Sequence, residues 1–186
     1  MTEERLERIS EQLPGEGAES RTPGRPPLHL WHPELSGDID IEIRRDGSWW
    51  HEGEPIRRAS LVQLFASILR READGDYYLV TPVEKWRIRV AGFPLQIVDF
   101  DAARSADDRP FITVITNTGQ RYLLGRDYPL YLPEGPEADS AVPAVGLDHG
   151  LAAVFNRAAW YRLVDVAEER EGQAGVESDG LFFPIS

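Results

Sequence analysis

Apolar and polar residues alternate strictly from Asp38 to Arg44, with Ile39, Ile41 and Ile43 on one side and Asp38, Asp40 and Glu42 on the other. Successive side chains of a strand point to opposite faces, so this pattern predicts a half-buried strand. Asp46-Gly47 supplies a turn, Ser48 to His51 a short strand, and Glu52-Gly53-Glu54 a second turn before Pro55-Ile56. From about Ala59 to Arg71 the period changes to that of a helix, with Leu61, Leu64, Phe65 and Ile68 on one face. Ser60 and Gln63 have the spacing of a capping box. After the turn Asp74-Gly75-Asp76, the stretch Tyr77 to Val90 reads as two strands divided by Pro82, because proline lacks the amide that a central ladder needs. Alternation beyond Pro82 puts Glu84, Trp86, Ile88 and Val90 on one face and Val83, Lys85, Arg87 and Arg89 on the other.

In the second half, Gln96 to Phe100 and Phe111 to Thr116 read as strands, and Asn117-Thr118-Gly119 turns into Gln120 to Leu124. A Pro-rich loop over Leu132 to Ser140 leads to short strands over Val142 to Gly146 and Leu151 to Phe155, then a helix from about Arg157 to Glu168. Glu169 to Gly180 reads as a polar, acidic tail, with Leu181 to Pro184 docking back. Arg58 to Phe65 and Arg157 to Val164 share an R-A-x-apolar-apolar-x-L-apolar pattern. Two readings are open: a strand-strand-helix unit used once per half, or two amphipathic helices that resemble each other because all such helices do. The first gives the expected fold class, α+β, as two small halves, each with antiparallel strands and one packed helix. The expected boundaries are a flexible leash over 1–27, an N-terminal α+β half over 28–92, and a β-rich half over 93–186 with one helix and the acidic tail. Within the leash, Leu6, Ile9 and Leu13 have weak helical spacing ahead of a Pro- and Gly-rich run.

Composition narrows the function classes. The chain of 186 residues has no cysteine, which removes thiol chemistry, Cys-ligated zinc and iron-sulfur clusters. A net charge of −12 repels nucleic acid and anionic membrane surfaces unless positive charge is concentrated locally. No apolar run is long enough to span a bilayer, and the start Met-Thr-Glu-Glu-Arg is unlike a signal peptide, so the expected location is cytoplasmic.

Trp49 to Arg58, Leu61 to Phe65, Leu69 to Glu72 and Asp76 to Lys85 together resemble a bacterial family known as domain of unknown function 1285. The resemblance is densest from Gly37 to Lys85 and thinner through Asn117 and Asn156-Arg157. It implies a two-part α+β protein with repeated motifs and a suggested signalling role. It implies no activity, cofactor or catalytic residue.

Lys85 is the sole lysine among 20 basic residues. An ammonium is a compact point charge whose protonation shifts readily on burial, which guanidinium does not offer. Lys85, Arg87 and Arg89 form a row of cations spaced by roughly 7 Å. As an anion site, the row takes Lys85 with Arg57 or Arg58 as charge partners, Trp49, Trp50 or Trp86 as walls, and Glu84 beside them. As a structural device, it faces the acidic row Asp38, Asp40 and Glu42 across a ladder, each pair contributing roughly 0.2–1 kcal/mol.

Other constellations are weak. His29 and His32 lack a third metal ligand, His51-Glu52 is a solvated turn pair, and Asp148-His149 reads as a turn before Gly150 rather than a dyad, since no nucleophile accompanies it. No phosphate loop, dinucleotide fingerprint or EF-hand is present. The expected function is therefore a regulatory or sensory module for a small anionic ligand, without catalytic residues, metal or cofactor. The alternatives are a protein-interaction adaptor using exposed aromatic side chains, and third an enzyme. The oligomeric state is not encoded in any pattern here.

Overall fold

A computed structural model describes residues 6–9, 26–134 and 142–185. The chain divides into two compact units, Met1–Glu42 with Trp49–Arg89, and Ile43–Ser48 with Val90–Ser186.

The first unit is built on β1 (Leu35–Ile43), β2 (Trp49–His51), β3 (Glu54–Pro55), α1 (Ala59–Ser67), β4 (Leu69–Arg71), β5 (Tyr77–Val80) and β6 (Lys85–Val90). The strands form one sheet in the order β3-β2-β1-β6-β5-β4. Contacts between β1 and β6 rise together in number, from Lys85 N–H on Ser36 Oγ to Arg87 on Asp38 and Arg89 on Asp40, so these central strands are parallel. The pairs β2–β3, β4–β5 and β5–β6 are antiparallel. As the alternation requires, Ile39 and Ile41 are buried, and Trp86 and Ile88 with them. Phe65 of α1 is fully buried, with its ring centroid 6.2 Å from that of Trp49. Full burial of each such side chain contributes about 1.5–3 kcal/mol.

The second unit contains β7 (Leu95–Arg104), β8 (Pro110–Thr116), β9 (Arg121–Leu123), β10 (Leu130–Tyr131), β11 (Ala144–Gly146), β12 (Ala152–Phe155), α2 (Arg157–Asp165), β13 (Glu168–Arg170), β14 (Gln173–Ser178) and β15 (Leu181–Pro184). One sheet runs β10-β11-β12-β7-β8-β9, with β12 parallel to β7, and a second runs β13-β14-β15. Read from its other edge, the larger sheet is β9-β8-β7-β12-β11-β10, the order of the first unit with every number raised by six. What recurs is this six-strand order. The two helices enter it at different points, α1 between the third and fourth strands and α2 after the sixth. Their buried positions also differ: Phe65 and Ala66 in α1, Ala159 and Leu163 in α2. Leu64, which the helix match pairs with Leu163, is only half-buried.

Several boundaries differ from the sequence pattern. The helix expected to reach Arg71 ends at Ser67, whose hydroxyl donates to the Leu64 carbonyl at 2.7 Å, and Leu69–Arg71 pairs with β5 instead. Ile68 and Leu69 are buried either way, so apolar spacing does not distinguish the two conformations. The stretch Glu169 to Gly180, expected as a tail, supplies most of β13 and β14. Its anchor is polar: the buried Ser178 hydroxyl accepts from Ile112 N–H at 2.9 Å and donates to the Leu124 carbonyl at 2.7 Å. Of the expected leash, residues 10–25 lie outside the described residues, and Ile9 is fully buried, with Arg8 3.9 Å from Glu84.

Candidate functional site

Because β1 and β6 are neighbours, the basic and acidic rows share one face of one sheet. Arg87 takes Asp38 with two nitrogens, Nε at 2.7 Å and Nη2 at 3.2 Å, and turns Nη1 to Asp76 at 3.2 Å. Arg89 pairs with Asp40. Both pairs are well exposed and contribute little to stability individually. Lys85 has a different partner from the one the ladder suggests. Its ammonium is 2.9 Å from Glu72 Oε2, and Glu72 Oε1 takes Arg70 Nη2 at 2.5 Å. Arg70 in turn donates to the carbonyls of Leu28 and Trp31, which ties the 3-10 turn Leu28–Leu30 to the sheet.

The turn between β4 and β5 thus places Glu72, Asp74 and Asp76 over the cations of the sheet. Burial raises the Glu72 carboxyl, but hydrogen bonds from Lys85 and Arg70 outweigh it and hold the group below its ordinary range. Tyr78 donates its hydroxyl to Asp74 at 2.7 Å, and that bond pushes the phenol up to about 12. The Lys85 ammonium lies 4.9 Å from the centre of the same ring, a cation–π contact.

The other candidates are placed elsewhere. Trp86 is on the opposite face of β6 from Lys85, buried, with Nε1 3.3 Å from Glu84 Oε2. Trp50 is half-buried on β2, and Arg57 and Arg58 are exposed ahead of α1, with Arg58 Nε on Ser60 Oγ. The structure therefore does not bring Lys85, Trp86, Arg57 and Arg58 to one point. His51 departs from the solvated pair expected of it: its Nε2 is buried with no hydrogen-bonding partner among the described residues, as is Nε1 of Trp49 on the same face of β2. Asp148 and His149 form a 3-10 turn, as expected, in which Asp148 accepts from the Tyr128 hydroxyl. No cluster of three metal-ligating groups is present among the described residues, and no described helix is long and apolar enough to cross a membrane.

A groove in the second unit was not marked by any sequence motif. It has a volume of about 640 Å³, within the range of ligand pockets. Its walls come from the end of β7 (Ala102–Arg104), the turn and start of β8 (Asp108–Ile112), Val166 beyond α2, and β13 and β14. Phe111, Val166 and Val176 are among its apolar lining, and Arg104, Arg109 and Arg170 are its cations. Arg104 pairs with Asp108, and Arg170 with Glu177 and Glu168. Arg109 is exposed and has no ion pair among the described residues. In sequence Arg109 is one arginine among many. The expected strand also stopped at Phe100, before the residues that form the wall.

The backbone of that wall can be assigned from its ladder. Ile112, opposite Ala102, accepts from Leu124 N–H and donates to Ser178 Oγ, so its groups point away from β7. Pro110, opposite Arg104, likewise accepts from Asp179 N–H. In an antiparallel ladder such pairs exchange no hydrogen bonds, so the N–H and C=O of Ala102 and Arg104 point outward on the free edge of β7. At Phe100 this edge is closed, since Asp99 Oδ1 takes its N–H at 2.8 Å and Arg162 Nη2 donates to its carbonyl at 3.5 Å.

The family model described as domain of unknown function (DUF1285), N-terminal domain, matches residues 26–92, and the corresponding C-terminal domain matches residues 94–185. The chain is similar to the crystal structure of a DUF1285 family protein from Silicibacter pomeroyi DSS-3, with 40% identity and a TM-score of 0.79, over 88% of each chain. It is also similar to a DUF1285 family protein from Shewanella baltica OS155, with 30% identity and a TM-score of 0.53, over 67% of this chain and 90% of that one. No curated protein matches it.

Proposed function

We propose, starting from the fact that this chain belongs to the DUF1285 family, whose two domains are described only as of unknown function, that it is a binding module of regulatory or sensory use rather than an enzyme. Its ligand is small and anionic, and its seat is the groove of the second unit. The observation that carries this reading is Arg109, the one cation on the groove without an acidic partner among the described residues, beside apolar walls that hold the body of a ligand. The Lys85 row supports the reading less well, because Glu72, Asp38, Asp76 and Asp40 already neutralise it.

A thermal-shift screen of small carboxylates and phosphates tests this. A true ligand at a hundredfold excess over its dissociation constant stabilises the fold by about 2.7 kcal/mol. That corresponds to a rise of about 5–10 °C for a protein of this size. Arg109→Gln should remove the rise and Lys85→Met should keep it. A shift that disappears with Lys85→Met and survives Arg109→Gln returns the site to the first unit.

A further inference from the structure

We infer that the groove takes its anionic ligand as an extended peptide segment, which adds as a strand to the free edge of β7 and sets a carboxylate on Arg109. This rests on the groove and its Arg109 anchor proposed above. Three observations point to a peptide rather than a free acid. Ala102 and Arg104 offer two N–H and two C=O groups along the wall of the groove, spaced as a second strand requires. None of these four has a hydrogen-bonding partner among the described residues. A free acid has no use for such an array, whereas a peptide backbone satisfies it.

The second observation is that the edge is closed immediately before the groove. At Phe100 both outward groups are occupied by the side chains of Asp99 and Arg162. Exposed edges invite pairing with other chains and are normally blunted by such devices. Here the cover ends at Phe100, and the strand continues uncovered to Arg104.

The third is the shape and charge of the groove. Ala102 and Ala103 are small and exposed, so nothing large stands over the edge. Phe111, Val166 and Val176 supply apolar surface for alternate side chains of an added strand. Acidic groups on the rim, Glu168, Glu177 and Asp108, are matched by Arg170 and Arg104, which leaves Arg109 to choose its partner. The net charge of −12 repels polyanions at long range, so the chemistry that fits is one carboxylate within an otherwise neutral or basic β-prone segment.

The test uses the full chain and a set of blocked hexapeptides of alternating Val and Thr, each with one Glu moved through the positions, read by fluorescence polarisation. Binding should be measurable at peptide concentrations up to about 1 mM. N-methylation of single amides should abolish binding at every second position and leave the others unaffected, because only alternate amides face the edge of β7. Arg109→Gln should weaken the Glu peptides about tenfold and leave the all-neutral peptide unchanged. Ala102→Pro removes one outward N–H and should abolish binding of both. Should Ala102→Pro not fold, the N-methyl pattern decides by itself. Binding that is indifferent to N-methylation at all positions overturns the inference. Succinate or inorganic phosphate binding through Arg109 while no peptide binds overturns it too, but leaves the anion site standing. Absence of binding by any of these probes overturns both. A concentration-dependent dimer abolished by Ala102→Pro assigns the edge to a second copy of the chain and likewise overturns it.

Discussion

The Lys85 ammonium and the Glu72 carboxylate form an ion pair 2.9 Å long in which both side chains are largely out of solvent, at 17% and 25% exposure. Removing one partner leaves the other buried with less compensation, which costs more than breaking a surface pair. Lys85→Met should therefore lower the unfolding free energy from urea titration by about 1–2 kcal/mol. Glu72→Gln should do the same, and the double mutant should show coupling of at least about 0.5 kcal/mol. Arg89→Gln, at an exposed pair, should change stability by less than about 0.5 kcal/mol. Equal effects at Lys85 and Arg89 would contradict the distinction drawn between them.

The carboxylates of this face set an acid limit. Asp38, held down by the hydrogen bond from Arg87, Asp74, held down by that from Tyr78, and Glu72 all lie below their ordinary values in the folded chain. A depressed folded value contributes stability that is present above the unfolded value, about 4, and is lost as pH falls through the folded one. Stability should therefore be insensitive to these groups near neutrality and fall below about pH 4. Glu72→Gln should narrow its deficit against the parent protein over the same interval. A deficit constant down to the acid transition would remove Glu72 from this account.

Ser178 and Gly175 decide whether the C-terminal strands are integral to the second unit. Ser178→Ala leaves the Ile112 N–H and the Leu124 carbonyl without their buried partner and should cost about 1–3 kcal/mol. A Cβ at Gly175 would lie 2.6 Å from the Phe183 carbonyl oxygen and closer still to the Phe182 ring. Backbone cannot yield as a flexible side chain does, so Gly175→Ala should cost about 1–3 kcal/mol. Calorimetry on both variants checks this, and a midpoint within a degree of the parent for either would leave β14 peripheral.

The helices give an asymmetric expectation. Leu163 is fully buried, and Leu163→Ala should cost about 2–5 kcal/mol. Leu64 is only half-buried and should cost less than half as much, with Phe65 the costly position of α1. Equal losses at Leu64 and Leu163 in denaturant titrations would restore the helix match as the structural repeat.

Burial of Ile9 bears on the N-terminal segment. Ile9→Ala should destabilise the first unit by about 2–4 kcal/mol, whereas Glu7→Ala, at an exposed position, should not. Unchanged unfolding of Ile9→Ala would show that the residue adds nothing to the core.

The sequence by itself determined the alternating strands, since a period of two is enforced by the pleat: Ile39, Ile41, Trp86 and Ile88 are inside, and Asp38, Asp40, Arg87 and Arg89 are outside. It also determined that Lys85, Arg87 and Arg89 would share one face of β6 and Asp38, Asp40 and Glu42 one face of β1, two strands whose rows would meet, in a register left open, if they were neighbours. Whether they are neighbours is a matter of strand order, which local pattern does not carry, and the structure places them side by side. The end of α1 was not legible, because Ile68 and Leu69 are buried as helix or as strand, and only pairing with β5 selects the strand. Strands over Glu169 to Gly180 were hidden because hydrogen bonds to Ser178 and strand pairing, rather than a run of apolar residues, fix them. The groove was hidden for a related reason. Its floor and its free edge depend on which side of β7 is left uncovered beyond Phe100, a relation among distant segments that no spacing of residues along the chain records.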